Sequence, residues 1–351
     1  MALKIIHSSS PTKLIIAGEH SVVYGGIALV APLDNRKECI CKIRKVPKGK
    51  GVISIADTFG NGKYFPDGRF EDFDGWFKAK ARLIEHILKS EGKGIDSLDI
   101  AITLSRNFIP KGTGHSASTA CSLALCIYGA LGISPTEGKL FEACQAFEEV
   151  AHGGRPSGID ARAVISDNPL RFRKEFLEGG KIGYDYEGMN LELPKGSAFI
   201  IASTLLKGES PQTTDELLSK FAKIRGISGL PGEIGQGQRE SVYGPFDLLV
   251  EEISQELSLK GKPEKLGGLL LKNHQMLKEC GVSSDTIEEA IQICMENGAY
   301  GAKLTGAGGR GGAVLAYCKK KDVGKIIKSL KRAGFAGITA QISSRGACID
   351  K

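Results

Sequence analysis

The chain has 351 residues, enough for two domains with cores of their own. Charged residues make up 25% and hydrophobic residues 41%, and no run approaches the length of a membrane span, which excludes a disordered chain and a helical membrane protein. The net charge of +7 suits small anionic ligands; the basic residues are scattered and mostly lysine, without interleaved aromatics, which argues against nucleic acid.

The N-terminal "MALKIIHSSSPTK" has no apolar stretch of signal-peptide length, so a cytoplasmic location is expected. Four strand-like runs follow: "KLIIAGEH", "GIALVAPL", "CICKIRK" and "GVISIAD". "DTFGNGKYFPDGRFEDFDGW", rich in Gly and Asp, is expected to be loop. Residues 75–91 have the spacing of an amphipathic helix, and "LDIAITL" alternates like a strand. "IPKGTGHSAST" (109–119) comes next, then "STACSLALCIYGALG", apolar nearly all round, which predicts a buried helix ended by Gly132. Ser134 as N-cap, Pro135 at the first position and Glu137 as capping-box partner predict a helix to about Ala151.

"SAFIIAST" is a further strand, and composition shifts near 190 at "GMNLELPKGS". The expected domains are 1–190, nucleotide-binding and catalytic, and 191–351, substrate-binding. Residues 214–297 read as mostly helical. A strand, the loop "TGAGGRGG", the strand "AVLAYC", a helix over 321–333 and the strand "GITAQIS" complete the chain. Strands and helices mix without regular alternation, which favours an α+β fold. The nine cysteines include no C-x-x-C pair and fall in strand and helix patterns, so they are expected to be small core residues rather than metal ligands.

Three stretches carry possible chemistry. A thin loop between a strand and a buried helix can offer bare amides and a positive helix end to phosphate. Residues 110–119 (Pro110, Lys111, Gly112, Thr113, Gly114, His115, Ser116, Ala117, Ser118, Thr119) fit that description. They fit a tight turn without ligand equally well, and the Walker spacing is absent. In "PTKLIIAGEHSVVYGG", Lys13 opens one apolar strand while Glu19 and His20 close it; each alone reads more readily as a solvated charge than as a catalyst. In "EEVAHGGRPSGIDARAV", glycines and a proline surround the carboxylate of Asp160. A lysine beside such an acid favours its charged form, and a helix N-terminal role for Asp160 is the alternative.

Together these stretches, with "AKLTGAGGRGGAVLAYC", resemble the mevalonate kinase branch of the GHMP kinase superfamily, in the family's order over nearly the whole chain. The resemblance implies a two-domain GHMP kinase fold, with a ribosomal-S5-like N-terminal domain and a ferredoxin-like C-terminal domain. It also implies ATP, Mg²⁺ and phosphorylation of the C5 hydroxyl of mevalonate. By matching positions it implies Asp160 as catalytic acid–base with Lys13 as its partner. The same matching places Glu19, His20, Thr214, Gly306 and Ala307 toward substrate, residues 110–119 on the nucleotide phosphates, and Ser118 on magnesium.

The chain departs from the family pattern in three places. Gly114-His115-Ser116-Ala117-Ser118-Thr119 stands for Gly-Leu-Gly-Ser-Ser-Ala, one extra residue brings in Arg155, and Arg310 replaces a glycine. The extra residue leaves two candidates for the magnesium carboxylate. On a helix from Pro135, Leu140, Phe141, Ala143, Cys144, Phe147, Val150 and Ala151 form an apolar stripe. Glu148 falls roughly 70° from its centre and Glu149 roughly 170° away, facing solvent with Glu142 and Gln145. Glu148 is therefore the expected ligand. Two rival functions remain: a kinase for a phosphorylated acceptor such as phosphomevalonate, suited to Arg155, Arg162, Arg171 and Arg173, and a non-catalytic ligand sensor. The expected partner is a small molecule rather than nucleic acid or membrane, and the assembly to test for is a homodimer.

Overall fold

A strand buried on both faces organises the molecule. The computed structural model describes residues 3–350 except 59, 73–75, 107–109, 111, 153–155, 192, 230 and 260. In β1 (Lys4–Ala17), Leu14, Ile16 and Ala17 face one core and Ile15 another. Its partner β2 (Ile27–Lys45) runs antiparallel to it. The register shifts between Pro11 and Thr12, where proline cannot donate to the ladder, one residue before Lys13.

The long β2 also pairs through its second half with β6 (Leu98–Leu104) and through its first residues with β7 (Leu170–Phe176). The sheet continues from β6 through β3 (Val52–Asp57), β4 (Gly60–Tyr64) and β5 (Phe70–Asp72), while β8 (Ile182–Gly188) lies outside β7. One face is covered by α1 (Phe77–Ser90), α2 (His115–Ala130), α3 (Glu137–Ala151) and α4 (Ile159–Ile165). Ile53, Ile100, Leu83, Ile84, Leu123 and Phe147 form their shared core.

The second half is a four-stranded antiparallel sheet in the order β10 (Ala299–Thr305), β11 (Ala313–Lys319), β9 (Ser197–Ser203), β12 (Ala336–Ala340). Helices α5 (Thr214–Ile224), α6 (Gln236–Ser258), α7 (Pro263–Glu279) and α8 (Asp285–Glu296) lie between its first and second strands in the chain, and α9 (Val323–Arg332) between its third and fourth. This is the ferredoxin-like strand order. Phe199, Leu249, Ile253, Leu270 and Leu315 pack against Leu14, Ile16 and Leu29, so the two sheets share an apolar core.

Several expectations are corrected. "GIALVAPL" and "CICKIRK" are one strand, because β2 stays extended through Asp34 and Asn35. The expected loop after residue 57 contains the β4–β5 hairpin. The cap of α3 is Thr136, whose hydroxyl accepts from the Lys139 amide at 3.3 Å, so Ser134 and Pro135 precede the helix. Val150 is exposed, and half-buried Gln145 donates to the Tyr184 hydroxyl at 3.3 Å. The chain also returns to the first sheet at its end, where β13 (Cys348–Asp350) pairs with β1. Among the described residues all nine cysteines are free, and no helix is long and apolar enough to cross a membrane.

Candidate active site

The register shift in β1 leaves Lys13 buried, its amide donating to the Thr113 carbonyl at 2.8 Å. Its ammonium lies 3.0 Å from the Asp160 carboxylate, which is 25% exposed. Asp160 sits at the second position of α4, after Gly158 at φ +83°.

The loop before α2 closes on itself: the Pro110 carbonyl accepts from the Thr113 hydroxyl at 2.6 Å and from the Thr113 amide at 3.3 Å. Gly114 caps α2 at φ +72°, a conformation that only glycine adopts freely, and a Cβ there would stand 2.7 Å from the Lys13 Cγ. The loop thus packs directly on the lysine that pairs with Asp160. Gly112 faces the second sheet, and a Cβ on Gly306 would lie 3.1 Å from its carbonyl. Lys111 lies outside the described residues.

Within α2, Ala117, Ser118 and Thr119 are buried. The Ser118 hydroxyl donates to the Ser10 carbonyl at 2.9 Å and is fully enclosed. Ser116, earlier in the helix, lies at the same end as the acidic group of α3: its hydroxyl is 3.4 Å from His152 Nε2. Glu148 is buried, with Oε2 3.0 Å from His152 Nε2 and Oε1 without a hydrogen-bond partner among the described residues. Glu149 is exposed. Burial opposes charge on the His152 imidazole, but the Glu148 carboxylate and then Asp160 outweigh it and raise its pKa.

His115, where the family pattern has leucine, is pushed down to about 4, chiefly by burial and then by Lys37. Its ring lies edge-on to Trp76, with centroids 6.5 Å apart. Beside it sits a buried cluster absent from the sequence reasoning: Asp57 stands 3.1 Å from Lys80 and 3.9 Å from Lys37.

Glu19 and His20 follow β1 on a strained turn. His20 has φ +62°, unusual for a residue with a side chain. Its ring stacks on Phe221 of α5 at 5.3 Å, and Nε2 lies 2.9 Å from the Ala307 carbonyl. A carbonyl only accepts, so Nε2 carries the proton and buried Nδ1, which has no partner among the described residues, is left as an acceptor. Burial lowers the His20 pKa to about 4, against the Ala307 bond and with help from Lys303. Glu19 is paired with Lys303, both fully buried, and the Lys303 ammonium also donates to the Leu304 carbonyl at 2.6 Å. Lys303 was missed from sequence; its one signal is a lone charge in the apolar run "GAKLT".

Lys13, Asp160, His20, Ala307 and the 112–118 segment are therefore brought together. Thr214 is exposed at the first position of α5, whose capping box belongs to Thr213 and Glu216. Arg310 ties the glycine-rich loop to the segment before α5, its Nε donating to the Ser210 carbonyl at 3.0 Å. Arg155 lies outside the described residues. The other arginines near Asp160 have partners: Arg162 is sandwiched between Phe141 and Tyr186 at 4.3 and 4.2 Å, Arg171 pairs with Glu251 at 2.7 Å, and Arg173 with Asp247 at 2.8 Å.

Residues 251–340 match the family model described as GHMP kinases C terminal. Along 98% of both chains, this one is 27% identical to a protein named mevalonate kinase from Aeropyrum pernix. A crystal structure of L. major mevalonate kinase in complex with R-mevalonate superposes with a TM-score of 0.71 at 21% identity, covering 98% of this chain and 97% of that one. A Lactococcus lactis galactokinase complexed with galactose gives 0.73 at 16% identity, covering 98% and 95%.

Proposed function

We propose that this chain, which has the GHMP kinase fold and whose relatives along its whole length are mevalonate kinases, transfers the terminal phosphoryl of ATP to the C5 hydroxyl of mevalonate. The observation that carries the proposal is the Lys13–Asp160 pair at 3.0 Å, packed directly against the helix N-terminus at Gly114.

Phosphoryl transfer depends on positioning and charge neutralisation more than on covalent help. The first amides of α2 have no partner inside the helix and face outward as an anion site. Asp160 orients the acceptor hydroxyl and takes its proton as the new bond forms. Lys13 holds that carboxylate in place and adds positive charge beside the transferred group. His20, neutral with Nδ1 free, can accept a hydrogen bond from the acceptor.

Among the described residues no group of three acidic, cysteine or histidine side chains could hold a metal ion by itself. Magnesium in kinases is held by one or two carboxylates plus the phosphates, and the unpartnered, buried Oε1 of Glu148 fits that demand. Glu148, with Ser116 beside it, would hold the ion, and Ser118, enclosed and bonded to Ser10, is the weaker candidate. Bound there, magnesium would neutralise charge on the phosphate oxygens. In this account residues 1–190 supply the nucleotide and catalytic groups, while 191–351 supply Lys303, Ala307 and Phe221 on the acceptor side.

Among the described residues, the arginines that would suit a second phosphate are committed to Glu251, Asp247 and two aromatic rings, which disfavours a phosphorylated acceptor. An ADP-release assay with mevalonate, phosphomevalonate and a neutral sugar tests this choice. Turnover is expected with mevalonate alone; preference for phosphomevalonate would overturn it.

A further inference from the structure

The turn that carries Glu19 and His20 leaves β1 after Ala17 and enters β2 at Ile27, with His20 at φ +62°. A residue with a side chain keeps such a conformation only where its surroundings fix it. At the entry, the Ser21 hydroxyl donates to the Gly18 carbonyl at 3.2 Å. At the exit, two side chains from separate elements hold the backbone. Arg173 of β7 donates through Nη1 to the Gly25 carbonyl at 2.8 Å, and Asp247 of α6 accepts from the Ile27 amide through Oδ1 at 2.7 Å. The two side chains then close on each other, Arg173 Nη2 donating to Asp247 Oδ2 at 2.8 Å.

The packing around this knot leaves little slack. Arg173 stands opposite Ile27 in the β2–β7 register, so it reaches the turn from within its strand. Its guanidinium lies 5.4 Å from the centre of the Tyr243 ring, one helical turn before Asp247 on α6. A Cβ on Gly26 would meet the Tyr243 Cβ at 2.8 Å. A salt bridge that merely ties the two halves together looks different. Among the described residues the side chains of Arg171 and Glu251 hydrogen-bond only each other, at 2.7 Å, between the same two elements. Both members of the Arg173–Asp247 pair also bond the backbone at the end of the His20 turn, whose ring is set by Phe221 and the Ala307 carbonyl.

We propose that Arg173 and Asp247 are positioning residues for the acceptor: by fixing the Gly25 carbonyl and the Ile27 amide they hold the turn from which His20 meets it. The assignment rests on the kinase function proposed above and adds to it two residues that act through His20, one from each half of the chain. A turn released at Gly25 lets the His20 ring leave Phe221 and Ala307, and Nδ1 is then no longer aimed at the acceptor. Neither residue belongs to the loop before α2 or to the Lys13–Asp160 pair, so nucleotide binding is independent of them.

The test compares wild type with Arg173→Met, Arg173→Lys, Asp247→Ala and the control Arg171→Met, by kinetics with mevalonate and ATP, by thermal melting and by ¹⁵N-edited NMR of the His20 ring. Arg173→Met and Asp247→Ala should each raise KM for mevalonate about tenfold, the worth of one hydrogen bond to the acceptor. KM for ATP should stay unchanged, and the Nε2–H resonance held by Ala307 should shift. Arg173→Lys should recover part of both effects. Arg171→Met removes a bridge between the same elements; it should lower Tm comparably yet leave the mevalonate KM and the His20 resonance as in wild type. In a His20→Ala background, Arg173→Met should add less than about twofold, because it acts through a ring no longer there. If Arg173→Met does not fold, Asp247→Ala and Arg173→Lys carry the same comparison. An additive tenfold rise in that background, an equal rise in KM from Arg171→Met, or a folded Arg173→Met variant with the wild-type mevalonate KM overturns the assignment. Failure of wild type to phosphorylate mevalonate removes the kinase function and the acceptor role with it, whereas an unchanged His20 resonance in Arg173→Met removes the clamp alone.

Discussion

The Lys13 ammonium meets the Asp160 carboxylate at 3.0 Å, and the same lysine side chain forms the floor under Gly114, where an added Cβ would reach it at 2.7 Å. Asp160, Lys13 and the N-terminal end of α2 are one contiguous unit, so a change in any of them is felt by the others.

Asp160→Asn should lower kcat by at least about 10²-fold while ATP affinity stays within a few-fold, because a positioned general base is worth roughly 10²–10⁴. Steady-state kinetics with a nucleotide-binding titration checks both parts. A variant retaining a tenth of wild-type kcat would remove Asp160 from that role.

Gly114→Ala should weaken ATP binding, lower kcat and lower Tm together. The added methyl must displace the Lys13 stem, and the backbone at φ +72° is unfavourable for alanine by about 1 kcal/mol or more. A folded variant with wild-type ATP affinity would separate this loop from the nucleotide.

Glu148→Gln should raise the magnesium concentration needed for half-maximal activity and lower kcat severely, while Glu149→Gln should be nearly silent. Glu148 is buried with one free oxygen; Glu149 is exposed. A magnesium titration of direct nucleotide binding provides a readout independent of turnover. The reverse pattern would transfer the role to Glu149.

Lys303→Met should destabilise the fold by about 3–5 kcal/mol, because it leaves Glu19 buried without its cation. Adding Glu19→Gln should recover much of that loss. Denaturant unfolding of the two variants measures it, and equal stability of single and double variants would mean the pair is not coupled.

Acid should destabilise the protein before its carboxylates titrate. His20 and His115 are each lowered from 6.5 to about 4, so between those values the unfolded chain binds protons that the folded one does not. Stability should fall as pH drops from about 6.5 to 4, by at most about 1.4 kcal/mol per unit for each group. His274 acts in the same direction. His152, which is raised, acts in the opposite sense: its contribution is complete below 6.5 and lost as pH climbs through its folded value. Tm against pH checks the sign, and His115→Gln should flatten the acid limb.

Much of the site was legible because its parts are local. The small residues of "GTGHSAS", the Asp160 loop and the GEH turn each fall in a few consecutive positions, and the burial of Glu148 over Glu149 followed from helix periodicity alone. What was missed is non-local. Lys303 reads as an ordinary surface lysine until the second sheet brings it to Glu19, and Lys37, Asp57 and Lys80 come from three separate elements. Lys174 sits in "RFRKEF", where four charges in six residues suggest an exposed strand; only the sheet register shows which of them turns inward. The β4–β5 hairpin was hidden because its strands are short and rich in Gly and Asp, and Thr136 outcompetes Ser134 because it is the residue directly before the first helical position.

The central claim is tested most directly by product analysis after incubating the purified chain with ATP, magnesium and mevalonate. Phosphorus NMR and mass spectrometry are expected to show one ADP per mevalonate consumed and a single phosphoryl group on the C5 oxygen, with no product from the Asp160→Asn variant. ADP release that does not depend on mevalonate, or a phosphoryl group at any other position, would contradict it.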